Sequence, residues 1–134
     1  MPYRISLIAA TLLIVLASFS FAVEKAQTKC PVTGELINTA SSPHIDYDGQ
    51  RIYFCCDACV PTFKADPEKY FGAIAAEGVV LENMQTVCPV TEEKIENKEA
   101  FTDYKGRRIY FCCNGCKEKF AKDPVIFLKK MSEK

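Results

Sequence analysis

One nine-residue segment organises this chain and occurs twice, as Arg51-Ile-Tyr-Phe-Cys-Cys-Asp-Ala-Cys59 and as Arg108-Ile-Tyr-Phe-Cys-Cys-Asn-Gly-Cys116. Each copy begins with an apolar, aromatic run typical of a β-strand and ends in a polar stretch compatible with a helix. Three thiols therefore fall within five residues at a strand-to-helix junction. Because thiolates are soft ligands, this grouping favours a site for a soft or borderline metal ion.

Two further cysteines lie upstream, each at the start of a Cys-Pro-Val-Thr tetrapeptide. Each half of the chain thus supplies four sulfurs from two separated segments, which is a spacing typical of metal knuckles. The candidate metal ligands are Cys30, Cys55, Cys56 and Cys59 in the first half and Cys88, Cys112, Cys113 and Cys116 in the second.

Length and charge restrict the function. The 134 residues carry 17 basic and 17 acidic side chains, so the chain lacks the basic surface expected of a nucleic-acid binder. A unit of roughly 50 residues buries too little apolar surface to be stable without a metal ion or a covalent cross-link. The sequence therefore predicts that metal or disulfide contributes to the stability of each half.

An internal repeat defines the organisation of the domains. Residues 27–37 match 85–95, and residues 46–67 match 103–124. This predicts a first module at 27–72, a linker at 73–84 and a second module at 85–130, with 23–29 as a loose leader. Each module is expected to bind one ion, largely independently of the other.

Local signals predict an α+β fold for both modules. Asp48-Gly49 and Lys105-Gly106 lie between apolar runs and predict β-hairpins, because glycine tolerates positive φ. Helices are expected directly after the hairpins, over Asp57–Ala65 and Asn114–Lys122. Asp66-Pro67 and Asp123-Pro124 each predict an N-cap and the first residue of a second helix.

The pattern of cysteines, hairpin and helix resembles the TRASH and YHS families of small metal-associated modules, over nearly all of the chain beyond residue 27. The resemblance implies two tandem treble-clef-like zinc-finger modules and a role in binding, sensing or moving heavy metals. It also implies metal ions as partners, with a metal-transport or metal-donor protein as a further partner. The residues that carry it are Cys30, Cys55, Cys59, Tyr47-x-Gly49, Tyr53-Phe54, Phe63 and Asp66-Pro67, and in the second copy Cys88, Cys112, Cys116, Tyr104-x-Gly106, Tyr110-Phe111, Phe120 and Asp123-Pro124.

The sequence departs from these families at one position of each module. Many such modules have a second cysteine in the first knuckle, where this chain has Thr33 and Thr91. Both copies instead gain a cysteine beside the hairpin, so Cys56 and Cys113 are expected to supply the fourth thiolate. Four thiolates suit tetrahedral zinc. If these cysteines do not ligate, three thiolates remain, which suit Cu(I) or leave an open position on zinc.

The N-terminus predicts export. Arg4 precedes the apolar run Ile5–Ala17, and Ser20-Phe21-Ala22 resembles a signal-peptidase site before Val23. Residues 1–22 are thus expected to be a signal peptide, and the mature protein periplasmic or secreted. The alternative is a membrane anchor over residues 5–23, which would be the chain's only contact with a membrane.

Two other functions and one other ligand compete with this interpretation. Eight cysteines could form disulfides in a structural or interaction domain, but bonds between neighbours such as Cys55 and Cys56 are strained. The Cys-x-x-Cys pairs could serve a thiol oxidoreductase, but the repeats lack its parallel βαβ frame. No enzymatic activity is expected. His44 is not expected to ligate, because Phe101 occupies its position in the second copy.

Overall fold

The computed structural model of the protein describes residues 24–133. The expected signal peptide at 1–22 and the alternative anchor at 5–23 lie outside these residues and stay predictions. Within 24–133, no helix is both long enough and apolar enough to cross a bilayer. The elements in chain order are β1 (His44–Tyr47), β2 (Gln50–Tyr53), α1 (Cys59–Ala65), α2 (Pro67–Ala76), β3 (Glu82–Asn83), β4 (Ala100–Tyr104), β5 (Arg107–Phe111), α3 (Asn114–Lys122) and α4 (Pro124–Ser132).

Both predicted hairpins are confirmed. Strands β1 and β2 pair antiparallel, with Ile45 opposite Ile52, and β4 pairs with β5 in the same way. The turn residues Asp48 and Gly49 have φ values of 50° and 73°, and the matching turn of the second hairpin has 46° and 81°. Two consecutive positive φ values match the twist of the flanking strands, so the short turns set the register of each hairpin.

The first helix of each module follows its hairpin, with one correction. Helix α3 begins at Asn114 as predicted, but α1 begins at Cys59, and the predicted start at Asp57 is wrong. Proline at position 61 has no N–H to donate to the carbonyl of Asp57, so the helical ladder cannot include that residue. The second module has Glu118 at this place and keeps the earlier start.

The second helices begin as the sequence predicts. The Asp66 side chain accepts a hydrogen bond from the Lys69 N–H at 3.3 Å, and that of Asp123 accepts one from the Ile126 N–H at 3.5 Å. A proline follows each cap at the first helical position, where its missing N–H costs little.

Each module packs around one phenylalanine of its first helix. Phe63 and Phe120 are 0% and 1% exposed. Burial of such a ring contributes about 1.5–3 kcal/mol. The aromatic side chains around them are Tyr47, Phe54, Tyr70 and Phe71 in the first module and Tyr104, Phe111 and Phe127 in the second, with ring centroids 5.3–6.2 Å away.

The segment before Cys30 is ordered against the sheet, so the expectation of a loose leader is wrong for its described part. The Gln27 amide donates to the Tyr53 carbonyl at 2.8 Å and accepts from the Tyr53 N–H at 3.0 Å. Gln85 makes the same pair of bonds to Tyr110, at 2.7 and 2.9 Å. Each glutamine thus satisfies backbone groups at a strand edge, as a neighbouring strand would.

The residues assigned to the linker contact both modules. Helix α2 extends through Ala76, and β3 pairs antiparallel with β2, placing Asn83 opposite Gln50. The Asn83 side-chain amide also donates to the Arg108 carbonyl, in the second hairpin, at 2.8 Å. The predicted module boundaries stay predictions, but the connection between the modules is itself structured.

The turn of the second hairpin packs against the first module. Arg107 is 2% exposed and donates to Asp48 at 2.8 Å and to Glu68 at 2.6 Å. Its guanidinium also lies 3.9 Å from the centroid of the Phe71 ring. Gly106 approaches the Phe71 carbonyl so closely that a Cβ atom would overlap it, which explains why glycine is needed here.

Candidate metal centres

Each module brings three of its four predicted sulfurs together, with all three Sγ atoms within 4.8 Å of one another. Among the described residues, these are the two groups of at least three His, Cys, Asp or Glu side chains that could hold a metal ion. We call them the first and second thiol cluster. Their members are Cys30, Cys55 and Cys59, and Cys88, Cys112 and Cys116.

A tight turn positions the first sulfur of each cluster. The Cys30 N–H donates to the Glu35 carbonyl at 2.8 Å, and the Gly34 N–H donates to the Cys30 carbonyl at 2.9 Å. Gly34 has a φ of 77°, a conformation that glycine adopts without strain. The second module repeats the turn at Cys88, with Glu92 in the left-handed position at 63°. The knuckle geometry therefore does not depend on glycine.

The hairpin and first helix position the other two sulfurs. Cys55 lies just after β2, and Cys59 is the first residue of α1. Their Sγ atoms are 3.6 Å apart, and those of Cys112 and Cys116 are also 3.6 Å apart. Ligands at the Zn–S distance of about 2.3 Å lie about 3.8 Å apart in a tetrahedron. The clusters thus fit a thiolate-bound ion in both chemistry and spacing.

The remaining two candidates, Cys56 and Cys113, lie beside the clusters but outside them. Both side chains are exposed. The Cys56 Sγ is 3.9 Å from that of Cys55 and 3.7 Å from that of Cys59, whereas it does not join the group that includes Cys30. Cys113 likewise lies 3.7 Å from its cluster neighbour in α3. Their role as fourth ligands stays a prediction.

Two threonines contact the clusters, which the sequence reasoning missed. The Thr33 hydroxyl lies 3.3 Å from the Cys55 Sγ, and the Thr91 hydroxyl lies 3.4 Å from the Cys112 Sγ. A hydroxyl at this distance can donate to a thiolate and stabilise its charge. The signal was present in the sequence, because both copies carry threonine at the same place in the knuckle.

The thiols within a cluster differ in acidity. Burial raises the pKa of Cys30, but hydrogen bonds from the backbone N–H groups of Cys55 and Thr33 outweigh it and lower that pKa to about 7. Cys88 is lowered to about 7 in the same way. Burial and the neighbouring sulfurs instead raise the pKa of Cys59 and of its equivalent in the second module. Each cluster therefore combines one thiol that is more acidic than a free cysteine with one that is less acidic.

The other sequence candidates lie apart from this chemistry. His44 is exposed at the start of β1, with its ring 5.3 Å from that of Tyr53, and it belongs to neither cluster. All eight cysteines are unpaired thiols. Six of these thiols form the two clusters.

The YHS domain family model matches residues 28–74 and 87–130. This chain belongs to the YHS domain family. Each matched segment encloses one thiol cluster, so each YHS domain contains a three-sulfur group. Comparisons with curated proteins and with solved structures found no match.

Proposed function

We propose that this protein is an exported metal-binding protein that holds one soft or borderline ion in each YHS domain and acts in heavy-metal binding, trafficking or sensing. The observation that carries the proposal is the pair of thiol clusters, each with three sulfurs within 4.8 Å. Three thiolates at one point repel each other unless a cation or protons neutralise them. The similarity to TRASH modules supports the same role, and we propose no catalytic activity.

Zinc and Cu(I) are the two ions that the donor set supports. If Cys56 and Cys113 rotate onto the bound ion, each site has four thiolates, as tetrahedral zinc requires. If they stay outside, each site has three, which suits Cu(I). The distance of 3.7 Å between Cys56 and Cys59 supports the four-thiolate site, because it is already close to a tetrahedral edge.

Exposure of the fourth cysteine supports trafficking over a purely structural role. Cys30 and Cys59 are buried, whereas Cys56 is exposed beside them. An incoming donor or acceptor thiolate can therefore exchange with Cys56 without opening the core. Cys113 is also exposed and allows the same exchange in the second domain. A metal-donor or metal-transport protein is accordingly the proposed partner.

The proposal of export rests on the sequence. Arg4, the apolar run Ile5–Ala17 and the Ser20-Phe21-Ala22 triplet support a cleaved signal peptide. The mature chain would then begin near Val23 in the periplasm or outside the cell. Fractionation followed by N-terminal mass analysis tests this directly, and full-length protein held in the membrane would contradict it.

Native mass spectrometry of the protein purified from the periplasm, with thiol counting, tests metal binding. We expect two ions per chain and eight cysteines without disulfides. The variant Cys30→Ser/Cys88→Ser should lose both ions, whereas His44→Ala should keep both, because His44 lies outside the clusters. One ion shared between the domains, or four disulfides in place of metal, would refute the proposal.

A further inference from the structure

A threonine hydroxyl contacts the most exposed cysteine of each thiol cluster. Cys55 and Cys112 are half-buried, whereas the other two members of each cluster are buried. The Thr33 Oγ1 atom lies 3.3 Å from the Cys55 Sγ, and the Thr91 Oγ1 atom lies 3.4 Å from the Cys112 Sγ. Both domains therefore place a hydroxyl against the same ligand of the cluster.

The backbone of the knuckle holds each hydroxyl in this place. The Glu35 N–H donates to the Thr33 Oγ1 at 3.3 Å, and the Glu93 N–H donates to the Thr91 Oγ1 at 3.5 Å. A hydroxyl has one proton to donate and two lone pairs to accept, so it can bond to the backbone and to a sulfur at the same time. The threonine oxygen accepts from the turn, and its own proton is available to the sulfur.

Metal binding sets the direction of the bond between hydroxyl and sulfur. In the metal-free cluster either the thiol or the hydroxyl can donate. A metal takes the cysteine as a thiolate, which has no proton, so the hydroxyl is then the donor. The Cys59 sulfur, 3.6 Å from that of Cys55, also loses its proton when it ligates and can no longer donate. The threonine keeps its proton and supports the loaded state.

The charge of a loaded cluster makes such a donor valuable. Three thiolates carry three negative charges, which exceed the charge of one Zn²⁺ or Cu(I) ion, so the loaded cluster is an anion. A hydrogen bond to a charged acceptor is stronger than one between neutral groups, and it favours the charged form. Groups that hydrogen-bond to metal ligands orient them, and their loss typically costs roughly 10–100-fold in metal affinity.

We propose that Thr33 and Thr91 are positioning residues of the two metal centres, each donating its hydroxyl proton to the thiolate of Cys55 or Cys112 and so holding that ligand on the ion. This inference rests on the proposed function, because it requires an ion in each cluster. It extends that function by giving each knuckle two contributions to its centre, a thiolate ligand and a hydroxyl donor to a second thiolate.

Titration of the reduced protein with Co²⁺, a spectroscopic probe of the zinc class, tests the proposal. The energy of the thiolate-to-Co²⁺ charge-transfer band depends on the electrons of the sulfur, which a hydrogen bond stabilises. Removal of that bond should therefore move the band to longer wavelength. We expect Thr33→Val/Thr91→Val to show this shift and to bind Co²⁺ about tenfold more weakly at each site. Thr33→Ser/Thr91→Ser keeps both hydroxyls and should retain the wild-type band and affinity.

Three further variants provide the controls. Thr39→Val makes the same change at an exposed threonine outside the clusters and should alter neither the band nor the affinity. Thr33→Val alone should shift only the part of the band that arises from the first domain. Thr33→Ala/Thr91→Ala removes the hydroxyls without adding a methyl group, and should give the same shift even if the valine variant does not fold.

The outcomes separate this inference from the proposed function. Two Co²⁺ ions per chain with the same band and affinity in the wild type and in the valine and alanine variants would overturn the role of the threonines and leave metal binding intact. Serine variants that shift the band as far as valine would also overturn it, because the hydroxyl would then make no difference. If the wild type binds no Co²⁺, Zn²⁺ or Cu(I), both proposals fail.

Discussion

Replacement of Arg107 by glutamine tests whether the two YHS domains depend on each other for stability. Glutamine is the residue that the first copy carries at the matching position, Gln50, so the side chain is compatible with a hairpin strand. Arg107 is 2% exposed and pairs with Asp48, which is 5% exposed, and with Glu68, which is about half exposed. Because glutamine is shorter and neutral, it cannot form an ion pair with either carboxylate.

The structure gives the expected magnitude. Removal of one partner of a buried ion pair costs about 3–5 kcal/mol, because the other charge stays buried without compensation. Asp48 is the carboxylate left behind, and its Oδ1 atom already has no hydrogen-bond partner among the described residues. The exposed Glu68 adds little, since solvent screens it. We expect Arg107→Gln to lower the free energy of unfolding by about 3 kcal/mol at neutral pH.

The loss should depend on pH. Burial raises the pKa of Asp48 above its ordinary value, and Arg107 opposes this rise. Without Arg107 the pKa of Asp48 rises further. A carboxyl whose pKa is raised in the folded state costs stability as pH increases from its unfolded value through its folded value. The free energy of unfolding that Arg107→Gln loses should therefore be largest near pH 8 and become smaller toward pH 5.

Urea unfolding of the zinc-loaded chain, followed by circular dichroism, measures these effects. Arg108→Gln is the matched control, because its partners Asp103 and Glu24 are about 60% exposed and the loss should stay below about 1 kcal/mol. The double variant Arg107→Gln/Asp48→Asn should recover much of the stability, since it removes the stranded charge. If Arg107→Gln costs no more than Arg108→Gln, or if Asp48→Asn gives no recovery, the interface does not couple the domains.

Three further predictions concern the clusters. Cys56→Ser should weaken zinc binding by several kcal/mol of the ~10–16 kcal/mol typical of structural zinc sites, and Cu(I) binding by much less. Cys113→Ser should have the same effect in the second domain. If competition titration shows that zinc affinity changes by no more than about tenfold, Cys56 and Cys113 are not ligands. A strong chelator should remove the helical circular dichroism signal of the reduced protein, because the cores are small, whereas a cooperative thermal transition without metal would contradict metal-coupled folding. Since the pKa of Cys30 and of Cys88 is about 7, metal loading should release about one proton fewer per site at pH 8 than at pH 6. Proton release into unbuffered solution, followed with an indicator dye, measures the difference, and a pH-independent release would refute it.

Features that depend on neighbouring residues could be predicted from the sequence. The hairpin turns follow from glycine at positive φ, and the caps of α2 and α4 follow from Asp-Pro, because each needs only a few adjacent residues. The membership of Cys55 and Cys59 in one cluster was predictable for the same reason. Their spacing across a strand-to-helix junction brings the two sulfurs together within one turn.

Features that depend on which surfaces meet in space required the tertiary structure. Arg107 and Asp48 are 59 positions apart, and the sequence of neither hairpin indicates that these two residues form a buried ion pair. The sequence predicts a loose leader around Gln27, because local patterns do not reveal its partner, the Tyr53 backbone, 26 positions away. The repeat determined which eight sulfurs are candidates, but the folded chain decided that Cys56 stays exposed while Cys30 is buried, because burial depends on packing between separated segments.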